Sequence, residues 1–83
     1  MTIRVRAFAL HRELLGRETL DVEISDGGAA TPRAVFEKLF AGRADFARLL
    51  RATMFAVNRE YVGADDSLKD GDELALIPPV AGG

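Results

Sequence analysis

Apolar and polar residues alternate over the first ten positions of this chain, and a second alternating run follows it. The first run covers residues 2–10 and the second covers residues 19–25, and a period of two predicts a β-strand in each. Between them, residues 11–16 predict a short helical turn that stops at Gly16. We therefore expect the first two strands to pair antiparallel.

The pattern changes to a helical period in the middle of the chain. Thr31 can cap free backbone donors and Pro32 suits a first helical position, so a helix is predicted to start there. Its apolar face consists of Val35, Phe36, Leu39 and Phe40. Gly42 is expected to stop this helix, and Asp45 is expected to start a second, shorter one.

The strand pattern returns in the last third of the chain. Residues 53–58 predict a third strand, residues 61–62 a short extended piece, and residues 73–77 a last strand after a turn. The order strand, strand, helix, strand, short strand, strand predicts an α+β fold of the β-grasp (ubiquitin-like) type. We expect a mixed sheet of about five strands packed on one main helix plus short helices. The first and last strands should lie parallel at its centre.

One main helix covers only one face of such a sheet, so the other face is expected to be open. The period of two along each predicted strand places a second set of side chains on the open face: Arg4, Arg6, Phe8, Met54, Ala56, Ala75 and Ile77. Phe8 and Ile77 should be neighbours there, and Tyr61 can join them. Apolar side chains clustered on an uncovered sheet often mark a docking surface, although a loop covering Phe8 and Ile77 is the alternative. Arg4 and Arg6 are expected to be solvated or to pair with acidic groups of a partner.

Composition excludes several classes of protein. With 83 residues, 48% of them apolar and 29% charged, the chain has the make-up of one globular domain. A net charge of −2 without runs of like charge indicates no basic surface that would bind nucleic acid. No apolar stretch approaches the roughly 20 residues that span a bilayer, and the N-terminus has no signal-peptide pattern, so the expected location is cytoplasmic. The absence of cysteine excludes disulfides, thiolate zinc sites and cysteine nucleophiles.

Two other sets of side chains are candidate sites. His11 is the only histidine and has no cysteine or serine at a recognisable spacing, so we expect it at the surface or at a strand end. The acidic residues between 65 and 73 lack the spacing of a calcium-binding EF-hand loop. They predict a solvated, turn-rich edge that could meet a basic partner surface. Neither set predicts a bound metal or cofactor.

The most informative segment is the C-terminal one. Residues 1–77 are expected to form the domain and residues 78–83 a flexible tail, with the sequence Pro78-Pro79-Val80-Ala81-Gly82-Gly83. The prolines end strand pairing and favour an extended stalk, and two residues without Cβ atoms can thread a narrow channel. The Gly83 carboxylate is a poor electrophile and must first be activated, most economically as an acyl-adenylate. A sulfur nucleophile then yields a thiocarboxylate, and a lysine yields an isopeptide.

The run from Asp70-Gly71-Asp72-Glu73 to Gly83 resembles the C-terminus of the small, MoaD-type subunit of molybdopterin synthase. Ala56-Val57-Asn58 and Arg12-Glu13-Leu14, followed by Gly16, also agree with that family. The resemblance extends over the whole chain, but its specificity lies in residues 70–83. It independently implies the β-grasp fold.

The resemblance implies a sulfur carrier of molybdenum cofactor biosynthesis, which is a co-substrate and not itself a catalyst. An adenylating enzyme of the ubiquitin-activating type would use ATP to activate Gly83, which then becomes a thiocarboxylate. The tail would enter the large synthase subunit, in a heterotetramer, and pass sulfur to cyclic pyranopterin monophosphate. Phe8, Tyr61 and Ile77 match the family's partner contacts, although Leu and Phe are commoner at the last two positions.

Two alternatives stay open from the sequence. The chain could deliver sulfur to another pathway, such as thiazole formation or tRNA thiolation, or be conjugated to protein lysines as a ubiquitin-like modifier. The Pro78-Pro79-Val80 stretch argues against the thiazole carriers, which usually lack it. Alternatively, the chain is a β-grasp binding module with an inert tail.

Overall fold

The computed structural model describes residues 1–25 and 30–78, whose strands form one five-stranded sheet. The elements are β1 (Thr2–Ala7), α1 (Ala9–Leu15), β2 (Thr19–Glu23), α2 (Pro32–Phe40), α3 (Phe46–Ala52), β3 (Met54–Val57), β4 (Glu60–Val62) and β5 (Glu73–Ile77). The strand order is β2-β1-β5-β3-β4. β1 and β5 pair in parallel, and the other neighbouring strands pair antiparallel. The predicted α+β class with a mixed sheet is therefore confirmed.

The parallel pair at the centre of the sheet supplies much of the core. Val5 lies opposite Leu74 and Ala7 lies opposite Leu76, and all four side chains are fully buried. Phe36 of α2 packs on this face, with its ring centroid 4.6 Å from that of Phe40 and 5.9 Å from that of Phe55. Further core residues are Ile3, Val22, Ile24, Ala30, Val35, Leu49 and Leu68. The helices thus cover the face formed by the inward-pointing residues of each strand.

The start of α2 agrees with the sequence prediction. The Thr31 hydroxyl accepts a hydrogen bond from the Ala34 amide at 3.1 Å, and Pro32 occupies the first turn. This cap satisfies one of the donors that the first helical turn leaves free. The helix ends at Phe40, and Gly42, with φ of 94°, takes the chain out of the helical direction. The second predicted helix, α3, follows directly after Asp45.

The first strand is shorter than the sequence predicted. β1 ends at Ala7, and α1 begins at Ala9, where the prediction continued the strand to residue 10. The Phe8 carbonyl accepts from the amides of His11 and Arg12, which closes the first helical turn. Alternation over three residues is compatible with a helical turn as well as a strand, so the pattern was insufficient here. Gly16, with φ of 73°, ends α1 as predicted.

The predicted surface position of His11 is wrong. The His11 side chain is fully buried, and its ring packs edge-on against those of Phe36 and Phe40, with centroid distances of 6.2 and 6.1 Å. Its Nε2 lies 2.8 Å from Thr53 Oγ1, and that hydroxyl donates to the Leu49 carbonyl at 2.6 Å. The hydroxyl therefore accepts from Nε2–H, and Nδ1 has no hydrogen-bond partner in residues 1–25 and 30–78. Burial lowers the pKa of His11.

Among the described residues, no helix is both long and apolar enough to cross a membrane.

Candidate functional site on the open face of the sheet

The face of the sheet opposite the helices carries exposed apolar side chains. Met54 lies opposite Ile77 where β3 pairs with β5. Ala7 lies opposite Leu76 where β1 pairs with β5, and the residues that follow these two in the sequence are Phe8 and Ile77. Side chains at facing positions of paired strands lie on the same side of a sheet. Phe8 and Ile77 are therefore neighbours, as the sequence predicted. Phe8 is 41% and Met54 51% exposed, so no loop in the described residues covers them.

A shallow depression lies in the middle of the same face. Its floor is formed by Ala56 and Ala75, which face each other across β3 and β5, and Tyr61 faces Ala56 from β4. Small residues between large ones leave a concave volume of about 220 Å³. The other residues around it are Arg6, Phe8, Arg59, Glu73 and Ile77. We call this feature the Ala56–Ala75 depression, and it can hold a single large side chain.

Arg4 and Arg6 also lie on the open face and already have acidic neighbours. Arg4 Nε is 3.3 Å from Asp21 Oδ1, and an Arg6 guanidinium nitrogen is 3.7 Å from Glu73 Oε1. All four side chains are substantially exposed to solvent. Ion pairs of this kind contribute little to stability, so both arginines are free to exchange partners on docking. Their role in docking stays a prediction.

The acidic cluster between residues 65 and 73 builds turns. Asp66 accepts from the Gly63 amide at 2.7 Å, Asp70 accepts from the Thr2 amide at 2.6 Å, and Asp72 accepts from the Lys69 amide at 2.8 Å. These bonds satisfy backbone donors that the irregular chain leaves free. No group of three or more possible metal-ligating residues occurs in the part of the chain described here.

Asp65, in the same cluster, is paired with a helix residue. Its carboxylate accepts two hydrogen bonds from the Arg33 guanidinium, at 2.8 and 3.1 Å. This hydrogen bonding lowers the pKa of Asp65, with the positive charge of Arg33 adding to the effect. The cluster is thus the solvated, turn-rich edge that the sequence predicted, and its carboxylates have local partners.

The chain leaves the sheet at the apolar end of the open face. β5 ends at Ile77, and Pro78, which is half-buried, is the last residue that the structure describes. The segment after β5 therefore begins beside Phe8 and Met54. Pro79, Val80, Ala81, Gly82 and Gly83, on which the predicted tail chemistry falls, lie outside the described residues.

Sequence reasoning misplaced one exposed apolar residue and missed one residue of this surface. Leu10, which is 45% exposed, was placed in the first strand and belongs to α1 instead. Arg59 is absent from the predicted site residues, but it lies at the rim of the Ala56–Ala75 depression. The sequence signal that could have identified Arg59 is the two-residue connection between two short strands, because such a turn places its side chains at the edge of the sheet.

Comparison with known proteins gives the family. The profile described as the ThiS family matches residues 5–83. This chain belongs to the ThiS family. A ThiS-family relative from Chlamydomonas reinhardtii, the molybdopterin synthase sulfur carrier subunit, is 38% identical over 85 residues that cover 100% of both chains. The resemblance stated from the tail sequence is thereby confirmed.

Two solved structures similar to this ThiS-family chain show which fold the family shares. The small archaeal modifier protein 1 of Haloferax volcanii superposes with a TM-score of 0.74 at 27% identity, covering 95% of this chain and 98% of its own. A chain from the complex of subunits 1 and 2 of molybdopterin-converting factor from Helicobacter pylori superposes with a TM-score of 0.60 at 25% identity, covering 100% of both chains. The ubiquitin-like β-grasp fold is thus shared.

Proposed function

We propose that this chain is the sulfur-carrier small subunit of molybdopterin synthase. The observation that carries the proposal is that β5 ends on the open face beside Phe8, directly before the segment Pro78-Pro79-Val80-Ala81-Gly82-Gly83. A docking surface adjacent to a narrow terminal segment is what delivery of a chain terminus to another protein requires. The 38% identity to a sulfur carrier subunit over the full length supports the same function.

The chemistry of this proposal takes place at the carbonyl carbon of Gly83. An activating enzyme forms an acyl-adenylate from the Gly83 carboxylate and ATP, and pyrophosphate is the leaving group. A sulfur nucleophile then forms a C–S bond at that carbon, and AMP leaves with the electrons of the broken C–O bond. The C–S bond of the resulting thiocarboxylate breaks as its sulfur passes to cyclic pyranopterin monophosphate in the large subunit, and water restores the Gly83 carboxylate. From Pro78 the segment can reach at most roughly 20 Å.

The role of the folded domain in this proposal is to hold the large subunit while the tail reacts. Each large apolar side chain that is buried on docking contributes about 1.5–3 kcal/mol before the costs of association. Phe8, Tyr61 and Ile77 are the side chains that we assign to this contact. The Helicobacter pylori complex of subunits 1 and 2 supports a large-subunit partner. A heterotetramer and a cytoplasmic location belong to the same proposal.

Intact-mass measurement tests the chemistry. The purified chain is incubated with a competent activating enzyme, ATP and a sulfur source. Replacement of one oxygen by sulfur adds about 16 Da, and a variant lacking Gly82 and Gly83 serves as the control that gains nothing. An unchanged mass of the full chain overturns the proposal.

A second candidate function is conjugation to protein lysines. The similarity to the small archaeal modifier protein 1 favours it, because that protein has the same fold and is described as a modifier. Covalent adducts between this chain and target lysines in a cell lysate would support it. The third possibility, a binding module with an inert tail, predicts full activity for the variant that lacks Gly82 and Gly83.

A further inference from the structure

Arg59 occupies a backbone conformation that is unfavourable for its residue type. Asn58 and Arg59 form the two-residue turn between β3 and β4, and their φ angles are 49° and 74°. Turns with two positive φ angles match the twist of a hairpin, and their second position is usually glycine. A residue with a Cβ atom costs roughly 1–2 kcal/mol in the left-handed region, as a general rule. Arg59 therefore stands where glycine would fold more readily.

The rest of the turn is well stabilised. The Asn58 side chain donates to Asp72 Oδ1 at 3.0 Å and accepts from the Glu73 amide at 3.1 Å. Asparagine also tolerates positive φ better than most residues. These bonds attach the turn to the start of β5, so the backbone that presents Arg59 is held in place.

Within residues 1–25 and 30–78, the Arg59 side chain has no partner that offsets the cost of its backbone conformation. It forms no hydrogen bond and no ion pair with any residue in 1–25 or 30–78, and its side chain is exposed. It nevertheless lines the Ala56–Ala75 depression. The other charged groups there are Arg6 and Glu73, which face each other at 3.7 Å. Arg59 is thus a positive charge at the rim that none of the described residues compensates.

We propose that Arg59 binds a carboxylate of the docking partner, next to an apolar side chain that the partner seats over Ala56 and Ala75. This inference rests on the proposed function, because the partner is the large synthase subunit. A guanidinium recognises a carboxylate through paired hydrogen bonds, and the backbone of Arg59 is already held for such a contact. Arg59 is then a specificity-determining residue, since a partner with a cation at that position would be repelled.

The test is a titration of the purified large synthase subunit with three variants. In Arg59→Glu the charge is reversed at the rim. In Arg59→Gly the guanidinium is removed and the turn receives its preferred residue. Arg48→Glu is the matched control, because Arg48 is exposed on α3, on the helix-covered side, and the change in net charge is the same.

We expect Arg59→Glu to raise Kd about tenfold in about 0.05 M salt, and the effect to shrink in about 0.5 M salt as charges are screened. Arg59→Gly should raise Kd about threefold while its Tm is equal to or above that of the wild type. Weaker binding by a chain that is no less stable cannot come from a damaged fold. Arg48→Glu should leave Kd within about twofold.

Three outcomes overturn the inference. The first is an unchanged Kd for both Arg59 variants, and the second is an equal effect of Arg48→Glu; in both cases the proposed function stands if the wild type binds. The third is a wild-type chain that does not bind the large subunit at all, which overturns the proposed function together with this inference.

Discussion

At the scale of the residue, His11 is the least expected feature of the molecule. A neutral imidazole is buried against two phenylalanine rings, with one nitrogen bonded to Thr53 and the other without a partner in the described residues. Protonation places a charge and a second N–H in surroundings that offer no acceptor, which costs free energy. Folding therefore favours the neutral form.

The buried imidazole predicts a loss of stability in mild acid. The pKa of His11 is lowered in the folded chain, so below its ordinary value of 6.5 the unfolded chain takes up a proton first. The contribution of neutral His11 to the free energy of unfolding is complete above pH 6.5 and is lost as the pH falls towards the lowered pKa of the folded chain. The free energy of unfolding then changes by up to about 1.4 kcal/mol per pH unit. Urea unfolding between pH 7.5 and 5.5 measures this slope.

His11→Gln is the control for this prediction, because its amide can still donate to Thr53 but does not titrate in that range. Its free energy of unfolding should be nearly constant over the same window. The lowered pKa values of Asp45 and Asp65 act only below 3.8, so they leave the window undisturbed. Equal slopes in the two proteins would contradict the assignment to His11.

At the scale of the element, the hairpin of β3 and β4 depends on Asn58. Its side chain joins the turn to Asp72 and Glu73, and its φ angle of 49° is one that alanine adopts poorly. Both features stabilise the place where the two strands and β5 meet. The hairpin is therefore more sensitive to this position than an exposed turn usually is.

Two variants at position 58 separate these contributions. Asn58→Ala removes the hydrogen bonds and adds backbone strain, so we expect the free energy of unfolding to fall by about 2 kcal/mol. Asn58→Gly removes the same bonds but tolerates positive φ, and the expected loss is about 1 kcal/mol. Chemical denaturation measures both values. A larger loss for glycine than for alanine would show that backbone strain is unimportant here.

At the scale of the whole molecule, the residues assigned to docking and the residues of the core lie on opposite faces of the sheet. The large apolar side chains Phe8, Met54 and Tyr61 of the open face are exposed in the isolated chain, whereas the main hydrophobic cluster lies between the other face and the helices. Changes on the open face should therefore reduce partner binding without unfolding the domain. Tyr61 is the best position for a test, because 68% of it is exposed.

Tyr61→Ala is expected to weaken binding to the large synthase subunit by about 30-fold, since a buried interface tyrosine contributes about 2 kcal/mol. Its Tm should stay close to that of the wild type. Glu60→Ala is the matched control, because Glu60 is its neighbour in β4 with the opposite phase and is also exposed. Calorimetric titration measures both. Equal affinities for the two variants would remove Tyr61 from the docking surface.

Much of the fold was readable from local patterns. Thr31 and Pro32 identified the start of α2, and the alternation at residues 73–77 matched β5 to the residue. The neighbouring positions of Phe8 and Ile77 followed once the order of elements indicated parallel central strands. The tail sequence pointed to the family that the comparisons confirmed. Each of these inferences depends on spacing within one short segment, or on element order.

Most of the elements, their order and the family are thus encoded locally, because hydrophobic period, caps and the tail motif each lie within one short segment of the chain. The burial of His11 depends instead on long-range packing, since its partner Thr53 is 42 positions away. The same holds for Arg59, whose place at the Ala56–Ala75 depression depends on the registers of β3, β4 and β5. Contacts between distant segments depend on how the elements pack, and no local pattern encodes that packing.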